Sequence, residues 1–304
     1  MQNVFKEDQE ESAATAPSAK GKRTSPVPAF LLLPILLLTL LALIVYLFGW
    51  ISLDRRDALD LVDEIRASSG ERKALVAFEL SRLESYDLTP AQRGRFLEGV
   101  ERILQDSEDG DPRVRRSLTL TLGRLADRAA VPALLKAAED SDPETQIYAL
   151  WALGAIRDSS ARSTLEAHLQ HEDPGIRKTA AFALGQLGDV LAAPSLRIAL
   201  QDSVPDVTWN AAVALARLGD DACIPTLLPL LRGDFSAGML SPSQKEDLRI
   251  NVIRSVRALP ALRAALKDIA SSDPSSRIRS EAKRVLDGRS APPFGPAPDL
   301  ASPR

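Results

Sequence analysis

The sequence predicts an all-α protein, a solenoid of stacked helix pairs preceded by one membrane-spanning helix. Three observations carry that expectation. Prolines recur every 31 residues, at Pro112, Pro143, Pro174 and Pro205. Aspartates keep the same period at Asp127, Asp158, Asp189 and Asp220, as do Gly123, Gly154 and Gly185, with Ala216 at the fourth place. Third, no charged residue occurs between Ser25 and Leu53.

The elements follow in chain order. Residues 1–27 hold four acids and four bases among Ser, Ala, Thr and Pro and read as a disordered tail. Residues 28–51 read as the membrane span. The 23 residues 29–51 exceed the ~20 needed to cross a hydrocarbon core, and Tyr46 and Trp50 stand where aromatic residues favour an interface. Pro34 lies near the start, where a missing amide costs least. A cleaved signal would have a shorter apolar run followed by small residues. Phe48, Gly49, Trp50 and Ile51 do not fit that pattern. Lys20, Lys22 and Arg23 lean the N-terminus toward the cytoplasm and the remainder outside it.

Residues 54–110 are expected to form divergent helices that cap the stack, over Asp54–Ala67, Glu71–Glu84 and Pro90–Gln105. Thr89 before Pro90 marks a helix start, and Ser68 with Glu71 matches a capping box. Residues 111–232 hold four regular units. Asp111, Asp142 and Asp173, each before a proline, cap the free amides of a first helix while proline takes its first position. Val114, Ile176 and Val207 follow two after their prolines, with Ile147 as the counterpart in the second unit. Gly188 and Asp189 end the first helix and start the second. In the third unit that second helix carries Leu196, Ile198 and Leu200, and Asp202 opens the next unit. The glycines, falling on the period, read as helix ends. Helices this short are stable only when stacked on neighbours. Residues 233–287 read as an insertion, a divergent repeat through Leu248–Leu259 and a closing helix after Asp273 and Pro274. Residues 288–304 form a Pro-rich tail.

The run Asp173, Pro174, Ile176, Arg177, then Ala183, Leu184, Gly185, Leu187, Gly188, Asp189 resembles the HEAT-like repeats of the phycobilin-lyase type. That resemblance implies a right-handed solenoid with second helices lining its concave face. The fold hosts scaffolds, adaptors and a few enzymes, among the last the lyases that bind an open-chain tetrapyrrole and the iron-dependent deoxyhypusine hydroxylases. The hydroxylases hold iron with several His-Glu pairs spread over different repeats. This chain has only His171 with Glu172, and no residue marks a tetrapyrrole site.

Composition narrows function. Net charge is −3 with both signs interspersed, which gives no basic footprint for nucleic acid. Cys223 is the one cysteine, so neither an intrachain disulfide nor a cysteine zinc site is available. It reads as a small packing residue. His168, His171 and Glu172 could in principle meet a metal, but read as solvated residues ending a second helix. Arg115 and Arg177 read as links to an adjacent unit's aspartate, and Tyr148, Trp151 and Trp209 lie on first helices. No phosphate loop or nucleophile motif occurs. The expectation is a non-enzymatic, membrane-anchored scaffold that holds a protein or peptide partner, with no cofactor, metal, small-molecule substrate or nucleic acid. The residues expected to touch the partner are Arg128, Glu139, Arg162, Glu166, Gln170, Arg197, Gln201 and Arg232. The alternatives are a lyase- or hydroxylase-like enzyme and a mechanical spacer in a membrane complex.

Overall fold

The structure, a computed structural model, describes residues 37–44, 46, 57–83, 86–107, 110–235, 241–256 and 259–289. The chain divides into two compact units, Met1–Arg55 and Arg56–Arg304. In the first, residues 37–44 and 46 are helical and exposed. The remainder of the predicted span 29–51, like the tails 1–27 and 290–304, lies outside the described residues. Among the described residues no helix is long and apolar enough to cross a membrane.

In the second unit, α1 (Ala58–Ala67), α2 (Gly70–Ser81) and α3 (Pro90–Asp106) come first. Four pairs follow: α4 (Pro112–Leu125) with α5 (Val131–Ala137), α6 (Pro143–Ile156) with α7 (Arg162–Ala167), α8 (Pro174–Leu187) with α9 (Ala193–Ala199), and α10 (Pro205–Leu218) with α11 (Ile224–Arg232). Then come α12 (Pro242–Ser255), α13 (Arg263–Ser272) and α14 (Ser276–Leu286). First helices stack on one another from α2 through α10, and each short second helix packs against the first helix that follows it.

The capping logic is visible atom by atom. Asp111, Asp142 and Asp173 each accept the backbone N–H of the second or third residue of α4, α6 and α8, with proline at the first position. The first helices end in a left-handed residue, which is Ala126 (φ 52°), Arg157 (φ 58°), Gly188 and Gly219 in turn. Asp127, Asp158, Asp189 and Asp220 then cap a single 3-10 turn that leads into the second helix. Thr89 and Gln92 form a capping box at α3.

Five local expectations are corrected. Ser68 ends α1 and Ser69 precedes α2 without a side-chain bond, so no box forms with Glu71. In the second unit the slot of Val114 and Ile176 is filled by buried Thr145 rather than Ile147. Thr145 holds its hydroxyl against Asp142 at 2.8 Å. Val204, which has no side-chain acceptor, holds the cap position of α10, and Asp202 two residues earlier accepts the Val204 amide at 2.8 Å and pairs with Arg177. Ser275, not Asp273, caps α14.

The fifth correction concerns Gly123, Gly154 and Gly185, which sit inside helices and not at their ends. Each faces an alanine of the next first helix. A Cβ on Gly154 would stand 2.7 Å from Ala183 Cα, and one on Gly185 would stand 2.8 Å from Ala214 Cα. At Gly123 it would come within 2.6 Å of Ala152 Cβ. Backbones approach there as closely as a hydrogen allows. At the fourth rung Ala216 is accommodated, because α12 meets α10 less closely than the regular first helices meet one another.

The core is equally periodic. Gly99, Ala130, Ala161, Ala192 and Cys223 form one buried small-residue column, and Ile103, Leu134, Leu165, Leu196 and Leu227 form a buried large-residue column. Full burial of each large side chain contributes about 2–3 kcal/mol. The period therefore runs back through α3, and α3 is the second helix of the pair that α2 begins.

Candidate partner-binding face

With those columns buried, the same period fixes what the second helices leave in solvent. The exposed column set is Ala129, Pro132, Lys136 and Glu139 in the first regular pair, then Ser160, Ser163, Ala167 and Gln170. It continues with Leu191, Pro194, Ile198 and Gln201, then Ala222, Pro225, Pro229 and Arg232. Immediately before these lie Arg128, Ser159, Val190 and Asp221, also exposed. In the α2/α3 pair the corresponding residues are Glu98, Glu101 and Gln105.

Of the eight residues expected on this face, Arg128, Glu139, Gln170, Gln201 and Arg232 fall in the exposed set. Arg162 and Glu166 are half-buried, on the flank of α7, and Arg197 is exposed on the flank of α9. Three of the arginines belong to a ladder. Arg93, Arg128, Arg162 and Arg197 reach the aspartate that caps the next 3-10 turn, at 3.4 Å to Asp127, 3.9 Å to Asp158, 3.5 Å to Asp189 and 2.6 Å to Asp220. Exposed pairs of this kind contribute about 0–1 kcal/mol each, so they orient side chains more than they hold the stack.

A second set of pairs, less exposed, does hold it. Arg115 donates from Nε and Nη2 to Asp140 at 2.7 and 3.0 Å, and Arg177 makes the same fork to Asp202 at 2.7 and 3.1 Å. Arg249 pairs with Asp273. Each guanidinium also donates to carbonyls of the preceding segment: Ser107 and Gly110 for Arg115, His171 and Glu172 for Arg177, and Leu231 for Arg249. These arginines are structural links, and the aspartate lies at the end of the arginine's own pair.

The groups with chemical potential are engaged elsewhere. His168 is buried, not solvated, with Nδ1 2.8 Å from the Thr164 carbonyl and Nε2 3.0 Å from the Ala138 carbonyl. His171 accepts the Asp173 amide on Nδ1 at 3.0 Å. Among the described residues no group of three or more His, Cys, Asp or Glu is placed to hold a metal. The histidines therefore do not fit the several-pair iron site of the hydroxylases. Cys223 donates its thiol to the Asp220 carbonyl at 3.0 Å, and burial pushes its pKa up to about 12, far from a reactive thiolate. Tyr148 is buried, and Trp151 and Trp209 pack half-buried against the core.

What sequence reasoning missed is apolar and exposed. Val190, Leu191 and Ile198 are 63%, 64% and 65% exposed. Their counterparts one repeat earlier are Ser159, Ser160 and Ala167, and one repeat later Asp221, Ala222 and Pro229. Ile198, expected on the apolar face of its helix, points into solvent. Pro194 and Ile198, four apart, share one side of α9, and Leu191 precedes them in the 3-10 turn. A column-by-column comparison of the repeats carries this signal.

At the other end of the face a cleft of about 310 Å3 opens between α3 and α5. Leu104, Ala133 and Ala137 give it apolar walls, Glu101, Gln105, Lys136 and Glu139 stand at its mouth, and Arg115 and Asp140 lie at its base. Burial and the neighbouring Glu98 charge raise the Glu101 carboxyl above its usual range.

Comparison with known proteins agrees with this architecture. A family model described as HEAT repeats matches residues 100–176 and 164–239. No curated protein matches the chain. Among solved structures, the complex of CpcE and CpcF of phycocyanin lyase from Nostoc sp. PCC7120 is similar at 18% identity and a TM-score of 0.56, over 77% of this chain and 95% of that one. An archaeal HEAT-like repeats protein from Thermococcus onnurineus NA1 matches at 15% identity and a TM-score of 0.35, over 75% and 91%. Human deoxyhypusine hydroxylase in complex with glycerol matches at 17% identity and a TM-score of 0.32, over 76% and 95%. The first of these shows a shared fold, and the other two are too distant in geometry to bear on function. Residues 100–239 thus match a HEAT-repeat model, and the described residues around them form an all-α solenoid.

Proposed function

We propose that this protein is a binding scaffold, without catalysis of its own, that holds a protein or peptide partner on the exposed face of its second helices. The observation that carries the reading is the stripe of Val190, Leu191 and Ile198, apolar and solvent-exposed in columns where the neighbouring repeats are polar or small. Exposed apolar patches of this kind mark interaction sites. The engagement of His168, His171 and Cys223 in structural bonds supports the non-catalytic part.

Photo-crosslinking tests it. A crosslinker at position 198 is compared with one at Leu75, which is apolar, 51% exposed and on first helix α2. The expected result is a discrete adduct from position 198 alone, lost when Leu191→Asp is added. Equal adducts from both positions, or none from 198, would overturn the assignment.

The scaffold is tethered in this reading by residues 29–51, with the solenoid on the extracytoplasmic side. The uncharged stretch from Ser25 to Leu53 supports it. Alkaline carbonate should leave the full chain in the membrane pellet and release a chain lacking 29–51. Release of both would remove the anchor from the proposal. Protease cleavage of the solenoid only after the inner compartment is opened would reverse the orientation.

A further inference from the structure

The face changes character along its length. Beside α3 it offers the cleft, whose walls are Leu104, Ala133 and Ala137. Glu98 is exposed, Glu101 half-buried, and neither has an ion-pair partner among the described residues. The charges at the base are already matched, since Asp140 accepts both donors of the Arg115 fork. Besides that matched pair, the cleft lining holds two carboxylates, Glu101 and Glu139, to one ammonium, Lys136. Midway the exposed residues are Ser160, Ser163 and Ala167, small enough to let a backbone pass. Beyond them lies the apolar stripe of Val190, Leu191 and Ile198.

We propose that the partner is a linear segment of opposite polarity, basic at one end and apolar at the other, lying across the second helices from α3 to α9. The inference rests on the binding reading above and adds the chemistry of what is bound. A lysine or arginine lays its aliphatic stem on apolar walls while its charge stays at the mouth. The cleft supplies such walls, Glu101 supplies an anionic charge in its lining, and Glu98 stands exposed one turn before it on α3. Three helix-to-helix steps of about 8–10 Å separate α3 from α9, so the segment spans roughly 25–30 Å. That is about eight or nine residues in extended form. The cleft and the stripe then act as two anchor points joined by a shallow track.

The test uses three fluorescent synthetic peptides and the full-length chain in zwitterionic nanodiscs, with empty nanodiscs as the subtraction. One peptide carries four lysines, a Gly-Ser spacer and four leucines. The second has glutamates for the lysines, and the third has serines for the leucines. Anisotropy titrations should show the Lys–Leu peptide binding at least about tenfold more tightly than the Glu–Leu peptide. The pair Glu98→Lys and Glu101→Lys should reverse that order. Ile198→Asp should weaken the Lys–Leu and Glu–Leu peptides by the same factor and leave the Lys–Ser peptide unchanged. Circular dichroism confirms that each variant is folded, since all three positions lie outside the core. Equal affinity of the wild-type chain for the Lys–Leu and Glu–Leu peptides, or no reversal by the charge swap, overturns the polarity proposal alone. Unchanged affinity of the Ile198→Asp chain for the Lys–Leu peptide, together with a position-198 adduct that survives Leu191→Asp, overturns the binding face itself.

Discussion

Gly154→Ala should destabilise the solenoid although it adds a better helix former. Gly154 lies inside α6, where alanine gains about 0.5–1 kcal/mol over glycine. The added Cβ, however, would stand 2.7 Å from Ala183 Cα and 2.9 Å from both Ala183 Cβ and the Ala183 carbonyl oxygen. Two of those atoms are backbone, so no rotamer change relieves the overlap, and α6 and α8 must separate. Overpacking of a tight core costs typically 1–3 kcal/mol. The net loss expected is about 1–2 kcal/mol, a fall in Tm of roughly 3–6 °C for a unit of this size. Gly94→Ala is the matched control, inside α3 and exposed, where a Cβ meets nothing within 4 Å. It should raise stability by about 0.5–1 kcal/mol. Far-UV circular dichroism during heating and urea titration reads both. A Gly154→Ala chain that gains stability as Gly94→Ala does would refute the close-approach account of the glycine rungs.

Three further outcomes follow from the same geometry. Arg115→Met leaves half-buried Asp140 without its counter-charge and the Ser107 and Gly110 carbonyls without their donor, and should cost about 1.5–3 kcal/mol in urea titration, partly recovered by adding Asp140→Leu. A single variant as stable as wild type would show that the fork does not hold the stack. Cys223→Ala places in the fifth pair the residue that Ala130, Ala161 and Ala192 already supply, and should change stability by less than about 1 kcal/mol, whereas Cys223→Leu should cost about 1–3. The native thiol should also resist a disulfide reagent until denaturant is added. For Asp142, burial pushes the carboxyl pKa up, but the Arg116 guanidinium and the Thr145 hydroxyl and amide outweigh it and hold it at about 2. A depressed acid stabilises the fold above its unfolded value of about 3.9 and loses that contribution as pH falls toward its folded value. Urea midpoints measured from pH 5 down to 2 should therefore drop less steeply for Asp142→Asn than for wild type. Parallel slopes would argue against it.

The repeat itself was legible because its punctuation is chemical. Asp111 before Pro112 can cap a helix and start it, and little else suits that pair. The glycine rungs were visible as a period but not as a purpose, since glycine serves a left-handed turn and a close approach equally well in sequence. Only the position of Ala183 beside Gly154 separates the two. Thr145 was passed over for Ile147 because apolarity was the criterion, whereas its hydroxyl is satisfied locally by Asp142. The face was partly readable for a related reason. A 3-10 turn between each capping aspartate and its second helix turns about 120° per residue and not 100°, which shifts the direction of everything after it. Arg162 and Glu166 thus fall on the flank, while Ile198 turns outward.

The columns buried in the core and the columns left in solvent are made of different residues. Gly99 through Cys223 and Ile103 through Leu227 are committed to the interior, whereas Leu191, Pro194 and Ile198 are answerable only to what lies outside. Partner choice can therefore drift one helix at a time, as letters are changed in a word whose binding stays intact. Exchanging Leu191 and Ile198 for the serine and alanine of the preceding pair, and placing them there, should carry the patch along the stack without altering how the chain melts.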